Sequence, residues 1–190
     1  MNLSPASNFT ISQLADLLTR GFEDYFVPIH ITEDVFLTML RRDSIDLPAS
    51  RVILKDGEPI GIGLIARRGW TSRLAAMGII TNARNSGVGT WAMEQLIEEA
   101  RARSEKEMLL EVIEQNIAGV KLYEKVGFQK VRRLVGYKIE NPQVEVKHQL
   151  EEMDIYELAR IVTRHGLPDL PWQLTGATLA HYTPPARAFR

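Results

Sequence analysis

The chain has 190 residues, 23 basic and 24 acidic, and a formal net charge of -1, so no long-range field draws it to nucleic acid or to an anionic membrane. The absence of cysteine excludes disulfides, thiolate metal sites and a cysteine nucleophile; the four histidines, His30, His148, His165 and His181, are scattered and form no helical pair, so no metal is expected. The length suits one domain, or one domain with an appendage, and neither a twenty-residue apolar span nor an N-terminal signal pattern is visible, so a cytoplasmic protein is expected.

Leu3 to Ser7 reads as a short first strand that Pro5 confines to an edge or a strand end. Thr10 to Tyr25 predicts a helix with Ile11, Leu14, Ala15, Leu17, Leu18 and Phe22 on its inner face and Gly21 as its weak point. Pro28 keeps Phe26 to Ile31 non-helical, and Glu33 to Arg42 predicts a second helix presenting Val35, Phe36, Met39 and Leu40. Arg51 to Lys55 and Glu58 to Arg67 form a hairpin around Asp56-Gly57. Within it Ile60, Ile62 and Leu64 share one face, and Gly61 and Gly63 leave the other shallow. Arg67, Arg68 and Arg73 are expected in a solvated turn before a strand from Leu74 to Thr81.

From Gly78 to Thr90 two apolar positions end a strand, a short polar loop follows, and Gly87 and Gly89 open a helix running to about Ser104. Its apolar residues Val88, Ala92, Leu96 and Ala100 recur every four positions, with Met93 and Ile97 beside them. A helix N-terminus offers unpaired N–H groups and the positive end of the macrodipole, so this stretch is suited to a diphosphate. The alternative is an ordinary strand-to-helix turn whose glycines allow tight packing. The P-loop is excluded because Thr90 and Trp91 follow Gly89 in place of Lys and Ser/Thr, and Gly61-Ile62-Gly63 lacks the third glycine of the dinucleotide fingerprint. Glu99 and Arg103 are spaced for an exposed ion pair. Met108 to Ile113, nearly all apolar, predicts a strand near the middle of a covered sheet. Ile117 to Val126 predicts a helix capped by Gly127, and Phe128 to Glu140 the last strands. Leu150 to His165 predicts an amphipathic helix stopped by Gly166, and Leu167 to Arg190 is a proline-containing tail with Trp172, Leu174 and Phe189 to bury.

Arg84, Gly87 and Gly89 satisfy the acyl-CoA-binding signature of the GCN5-related N-acetyltransferases (GNAT), and Asn116 to Phe128, with Leu122-Tyr123-Glu124-Lys125 and Gly127-Phe128, resembles that family's downstream segment. The resemblance covers the chain to about Glu140. It implies an α/β (α+β) fold: a mixed, mostly antiparallel sheet splayed between its fourth and fifth strands, with helices on both faces. It implies an N-acetyltransferase domain over 1–140, leaving 141–190 as an appendage that is either the start of a degenerate second lobe or an oligomer contact through which the chain forms a homodimer. It implies acetyl-CoA as cosubstrate and direct attack by a primary amine of a small molecule, peptide or protein; the alternative is a non-catalytic acyl-CoA-binding module.

By the same resemblance, the backbone of Ile79, with Ile80 and Thr81 beside it, receives the pantetheine arm, and the Ile79 N–H polarises the thioester carbonyl. Arg84, Asn85, Ser86, Gly87, Val88, Gly89 and Thr90 hold the diphosphate. Tyr123 takes the general-acid position, where the alternative is a core tyrosine. Asn116 contacts pantetheine or caps the helix, and Gly119 replaces an alanine, which only loosens the helix. The fourth strand, Leu74 to Gly78, has no acid to serve as base, which leaves Glu111 and Glu114 after it, or a chain of waters, to take the proton; Glu111 is the candidate, with a structural ion pair as its alternative. The helices Thr10 to Tyr25 and Glu33 to Arg42 wall the acceptor cleft.

Overall fold

The computed structural model describes residues 1–140 and 150–190; residues 141–149, with His148 and the start of the expected appendage, lie outside the described residues. The chain divides into two compact units, Met1–Phe128 and Gln129–Arg190.

The first unit is a five-stranded sheet in the order β1 (Asn2–Pro5), β2 (Arg51–Lys55), β3 (Glu58–Arg68), β4 (Thr71–Ile79) and β5 (Glu107–Leu110). The first four strands are antiparallel, and β4 and β5 run parallel. Pro5 ends the edge strand, where no N–H is required of it. Asp56 and Gly57 both have positive φ (54° and 89°), as a two-residue hairpin turn requires.

Helices cover both faces of the sheet. On one, α1 (Ile11–Gly21) and α2 (Glu33–Arg42) bury Leu14, Leu17, Leu18 and Phe36 against Val52, Ile62 and Leu64. On the other, α3 (Val88–Ala102) packs Met93 and Leu96 against Ile65 and Leu74, and Val88 and Ala92 against Ile53 and Ile60. The side chains of β3 alternate between these faces, except at a bulge that leaves Ile60 without a partner on β2 and turns it to the α3 side, away from Ile62 and Leu64.

Helix α1 starts in a capping box, with Thr10 Oγ1 accepting from the Gln13 N–H (3.2 Å) and Gln13 Oε1 accepting from the Thr10 N–H (2.8 Å). It ends at Gly21, four residues before Tyr25, because Gly21 lies directly on Gly78 of β4: a Cβ on either would sit 2.8–2.9 Å from the other's Cα. Gly78→Ala should therefore cost about 1–3 kcal/mol by forcing helix and strand apart. A lower urea midpoint at unchanged slope is the expected reading, and an unmoved midpoint would mean that the contact yields freely.

A second bulge decides the shape of the site. Leu64 pairs with Ala76 and Ile65 with Leu74, so Ala75 has no partner on β3. A bulge bends the strand that carries it. The last β4–β5 pair is Leu74 with Leu110, and beyond it the two strands part.

Several expectations are corrected here. Arg73 lies inside β4 and is 5% exposed, since that strand begins at Thr71 and is paired on both sides. Arg67 is not freely solvated either: it donates to Glu105 and Asp46, each at 2.8 Å. Glu99 pairs with Arg51 (2.8 Å) as well as Arg103, both partly buried. Among the described residues β5 is an edge strand on which Leu109 is exposed, and it ends at Leu110. Helix α4 (Ile117–Lys125) follows it, and Gly127 takes the positive φ of its stop. Residues 128–140 form no strand among the described residues, and Val131, Tyr137 and Ile139 stand in solvent. Alternating apolar residues make a strand only where a hydrogen-bonding edge receives them.

In the second unit α5 (Ile155–His165) is capped by Asp154, whose Oδ1 accepts from the Tyr156 and Glu157 N–H groups (2.8 and 3.1 Å). It begins later than the expected Leu150 because β6 (Glu152–Met153) instead pairs with β7 (Ala188–Phe189). Arg187 to Glu152 and Arg190 to Glu151 reinforce that ribbon. Helix α6 (Gly176–Leu179) lies against Ala159 and Thr163 of α5 through Gly176. Among the described residues, no helix is long and apolar enough to cross a membrane.

Candidate active site

Where β4 and β5 part, a cavity of about 270 Å³ opens. Leu74, Ala75, Ala76 and Met77 of β4 form one side, and Leu110, Glu111 and Val112 the other. Asn116 and Tyr123 line it from α4, and Leu18, Phe22, Tyr25, Ile29, Ile31 and Met39 from α1, α2 and their connection.

The backbone of β4 supplies polar groups on the open side. The Ile80 N–H donates to the Ile60 carbonyl (3.0 Å), so residues 80 and 60 are a hydrogen-bonded pair. The neighbouring antiparallel pairs alternate, which makes Ile79–Gly61 and Met77–Gly63 non-hydrogen-bonded pairs. The amide groups of Ile79 and Met77 consequently point away from β3, towards the gap. The Ile79 carbonyl is already taken, accepting from Arg84 Nε at 2.8 Å. Met77, not Ile79, lines the cavity with Tyr123. Sequence reasoning missed Met77 because both amides share one phase of the strand, and only the position of the bulge tells which faces the cavity.

The loop after β4 leads into α3 through Asn85 (φ 60°) and Gly87 (φ 83°). No side chain caps α3 at Gly87, which leaves the N–H groups of Val88, Gly89 and Thr90 in the first turn without a side-chain acceptor. Ser86 Oγ is turned away, donating to the Ala83 carbonyl (2.7 Å). Thr81 opens a short 3-10 turn after Ile80, and its hydroxyl donates to Glu23 at 3.4 Å. Arg84 spends its guanidinium on three carbonyls, those of Ile79, Gly21 (3.3 Å) and Glu23 (2.7 Å), and so ties the end of α1 to the end of β4. Its charge remains beside the loop, but its donors are structural.

Asn116 is the N-cap of α4, Oδ1 accepting from the Gly119 N–H at 3.0 Å. A Cβ at Gly119 would lie 2.6 Å from Asn116 Nδ2. The glycine therefore makes room for the cap, a more definite role than the looser helix expected of it.

Tyr123 packs edge-on to Phe128 with ring centroids 6.0 Å apart, and it lines the cavity together with Tyr25. Burial, and secondarily the neighbouring Tyr25, push its pKa up to about 12. Glu111 reaches the same cavity, but its Oε2 accepts from Nε of the buried Arg73 at 2.6 Å. Both candidate catalytic residues thus meet in one cavity, and the glutamate arrives already paired. Among the described residues no group of His, Asp or Glu is arranged to hold a metal.

Residues 12–128 match the profile of the Acetyltransferase (GNAT) family. The fold is shared with the ribosomal-protein-S18-alanine N-acetyltransferase of Escherichia coli at 18% identity and a TM-score of 0.58, covering 69% of this chain and 79% of that one. An N-acetyltransferase of Staphylococcus aureus Mu50 is similar at 18% identity and a TM-score of 0.58, with 73% and 90% covered. The aminoglycoside 6'-N-acetyltransferase AAC(6')-IG of Acinetobacter haemolyticus follows at 17% and 0.53, with 75% and 100% covered. No curated protein matches the chain in sequence. A profile match over more than half of the chain, on a sheet that parts where that fold parts, establishes the chain as a member of the acetyltransferase (GNAT) family and so as an acyl-CoA-dependent N-acyltransferase.

Proposed function

We propose that the gap between β4 and β5 is the transfer site, and that the enzyme moves an acetyl or short acyl group from coenzyme A to a primary amine by direct attack. The observation that carries this reading is the meeting, in one cavity, of the outward-facing Met77 amide with Tyr123, while an uncapped helix start follows the same strand. Acetyl-CoA supplies the activated acyl group; the chain supplies its grip and its polarisation.

The first-turn amides of α3, with Gly87 to Thr90 around them, suit a diphosphate. Their lack of a side-chain cap and the open backbone at Gly87 fit such a group. The outward amide of Ile79 suits an extended arm pairing along β4 as an added strand would. The Met77 N–H takes the carbonyl-polarising role, displacing Ile79 from it, because it faces the cavity where the amine must arrive. Tyr123 donates a hydrogen bond to the departing sulfur, and the proton that the attacking nitrogen sheds ends on that sulfur, so that the C–S bond broken and the C–N bond formed leave an amide and a free thiol. Glu111, the one carboxylate among the described residues that line the cavity, orients the incoming amine while Arg73 holds it in place.

Calorimetry with coenzyme A, followed by mass spectrometry of amines incubated with acetyl-CoA and enzyme, tests the reading. Binding together with a mass gain of one acetyl group is expected. A chain indifferent to coenzyme A would overturn the assignment of the gap, and binding without transfer would remove the amine as the acceptor.

A further inference from the structure

We infer that the acceptor carries one amino group on a small apolar body, aromatic or aliphatic, and no second cation; this deepens the acyl-transfer reading above and rests on it. The wall that faces β4 consists of Leu18, Phe22, Tyr25, Ile29, Ile31 and Met39, of which Tyr25 alone carries a polar side-chain atom. The connection that supplies Ile29 and Ile31 also exposes Phe26 (57%) and Val27 (52%), an apolar lip on the same loop. Phe22, Tyr25 and Phe26 interlock edge to face, with centroids 5.1 and 5.3 Å apart, which gives that end of the wall aromatic faces and edges.

Charge points the same way. Among the described residues Glu111 is the only acidic one that lines the cavity, and it already pairs with the buried Arg73. Neither of the nearby acids lines the cavity: Glu23 accepts from the Thr81 hydroxyl outside it, and Asp24 is exposed. A second ammonium entering with the acceptor would lose its water without gaining a carboxylate, whereas a methylene chain or a ring gains by leaving water. At about 270 Å³ the cavity lies at the low end of ligand pockets, which suits one ring or a short chain beside the reacting nitrogen.

One chemistry could come from two sources, a free monoamine or the first residue of a peptide. The test therefore compares phenethylamine and hexylamine with the tripeptides Phe-Gly-Gly and Lys-Gly-Gly, and with spermidine and kanamycin. All are assayed at saturating acetyl-CoA, and kcat/KM is corrected for the neutral fraction of each reacting amine. The apolar monoamines, or the phenylalanine peptide over the lysine peptide, are expected to exceed the polycations about 10- to 10²-fold, and the arm that responds identifies the source. Ile29→Asp should narrow that ratio, with coenzyme A affinity measured on the same sample to show that the fold persists. Equal or better use of spermidine or kanamycin by the wild type would overturn this inference and leave acyl transfer standing. Intact coenzyme A binding with no transfer to any of the amines would overturn both.

Discussion

Tyr123→Phe is expected to lower turnover about 10²-fold while leaving coenzyme A affinity and thermal stability nearly unchanged. The ring stays in place against Phe128, and only the hydroxyl is lost. What disappears is the donor for the sulfur that leaves as the amide forms. With the phenol held near 12 by burial and a free thiol near about 8.5, complete proton transfer in the ground state is uphill, so the hydroxyl acts by hydrogen bonding as charge develops. The pH profile separates this role from others. An ordinary phenol would ionise near pH ~10 and cut the rate there. This one stays protonated, so the rate should rise as the amine loses its proton and show no fall attributable to Tyr123 until about pH 12. A decline centred near 10 in the wild type, absent from the Phe variant, would contradict the burial argument. Turnover unchanged in Tyr123→Phe, with chemistry shown to limit the rate, would remove Tyr123 from the reaction. The same raised value has a consequence for folding: the contribution is fully present below about pH 10, where the unfolded phenol is still neutral, and is lost as pH rises through about 12.

Glu111 should separate into two effects under two substitutions. Glu111→Ala leaves the Arg73 guanidinium, 5% exposed and close to Arg68, without its carboxylate. Breaking a fully buried pair costs about 3–5 kcal/mol, and because the Glu111 side chain is 27% exposed a loss of about 2–3 kcal/mol is expected. Glu111→Gln keeps an oxygen for Arg73 Nε and should retain most of the stability, yet lower kcat/KM about tenfold, because the charge that orients the amine is gone. The two variants are read by urea unfolding and by steady-state kinetics. Full activity in the Gln variant with lost stability in the Ala variant would make Glu111 an anchor for Arg73 and nothing more.

The elements whose signals are local were legible in the residues. The Asp56-Gly57 turn is determined by two positive φ angles that these residues tolerate, and α2 by the short amphipathic run of Val35, Phe36, Met39 and Leu40. The start of α3 follows from the Gly87 position, and the Arg84, Gly87, Gly89 spacing together with the segment around Tyr123 was enough to identify the family. Arg73 was misread because the strand signal around it is weak, and burial on both sides is a property of its neighbours β3 and β5. Val131 to Ile139 was misread for the opposite reason: the alternation is strong, but no edge receives it among the described residues.

By itself, then, the sequence determined the type and order of most elements and the residues that meet the cofactor motif, which depend on neighbours within a few positions, and its lack of cysteine excluded a thiol nucleophile of the protein's own. The tertiary structure decided which amide of β4 faces the cavity, that Arg84 ties two elements together, and that Glu111 arrives paired with Arg73. Each of these depends on a bulge at one residue or on atoms brought together from 38 to 63 positions apart. A side chain's own chemistry is written in the chain, but what it spends that chemistry on is set by whichever partner the fold brings within bonding distance.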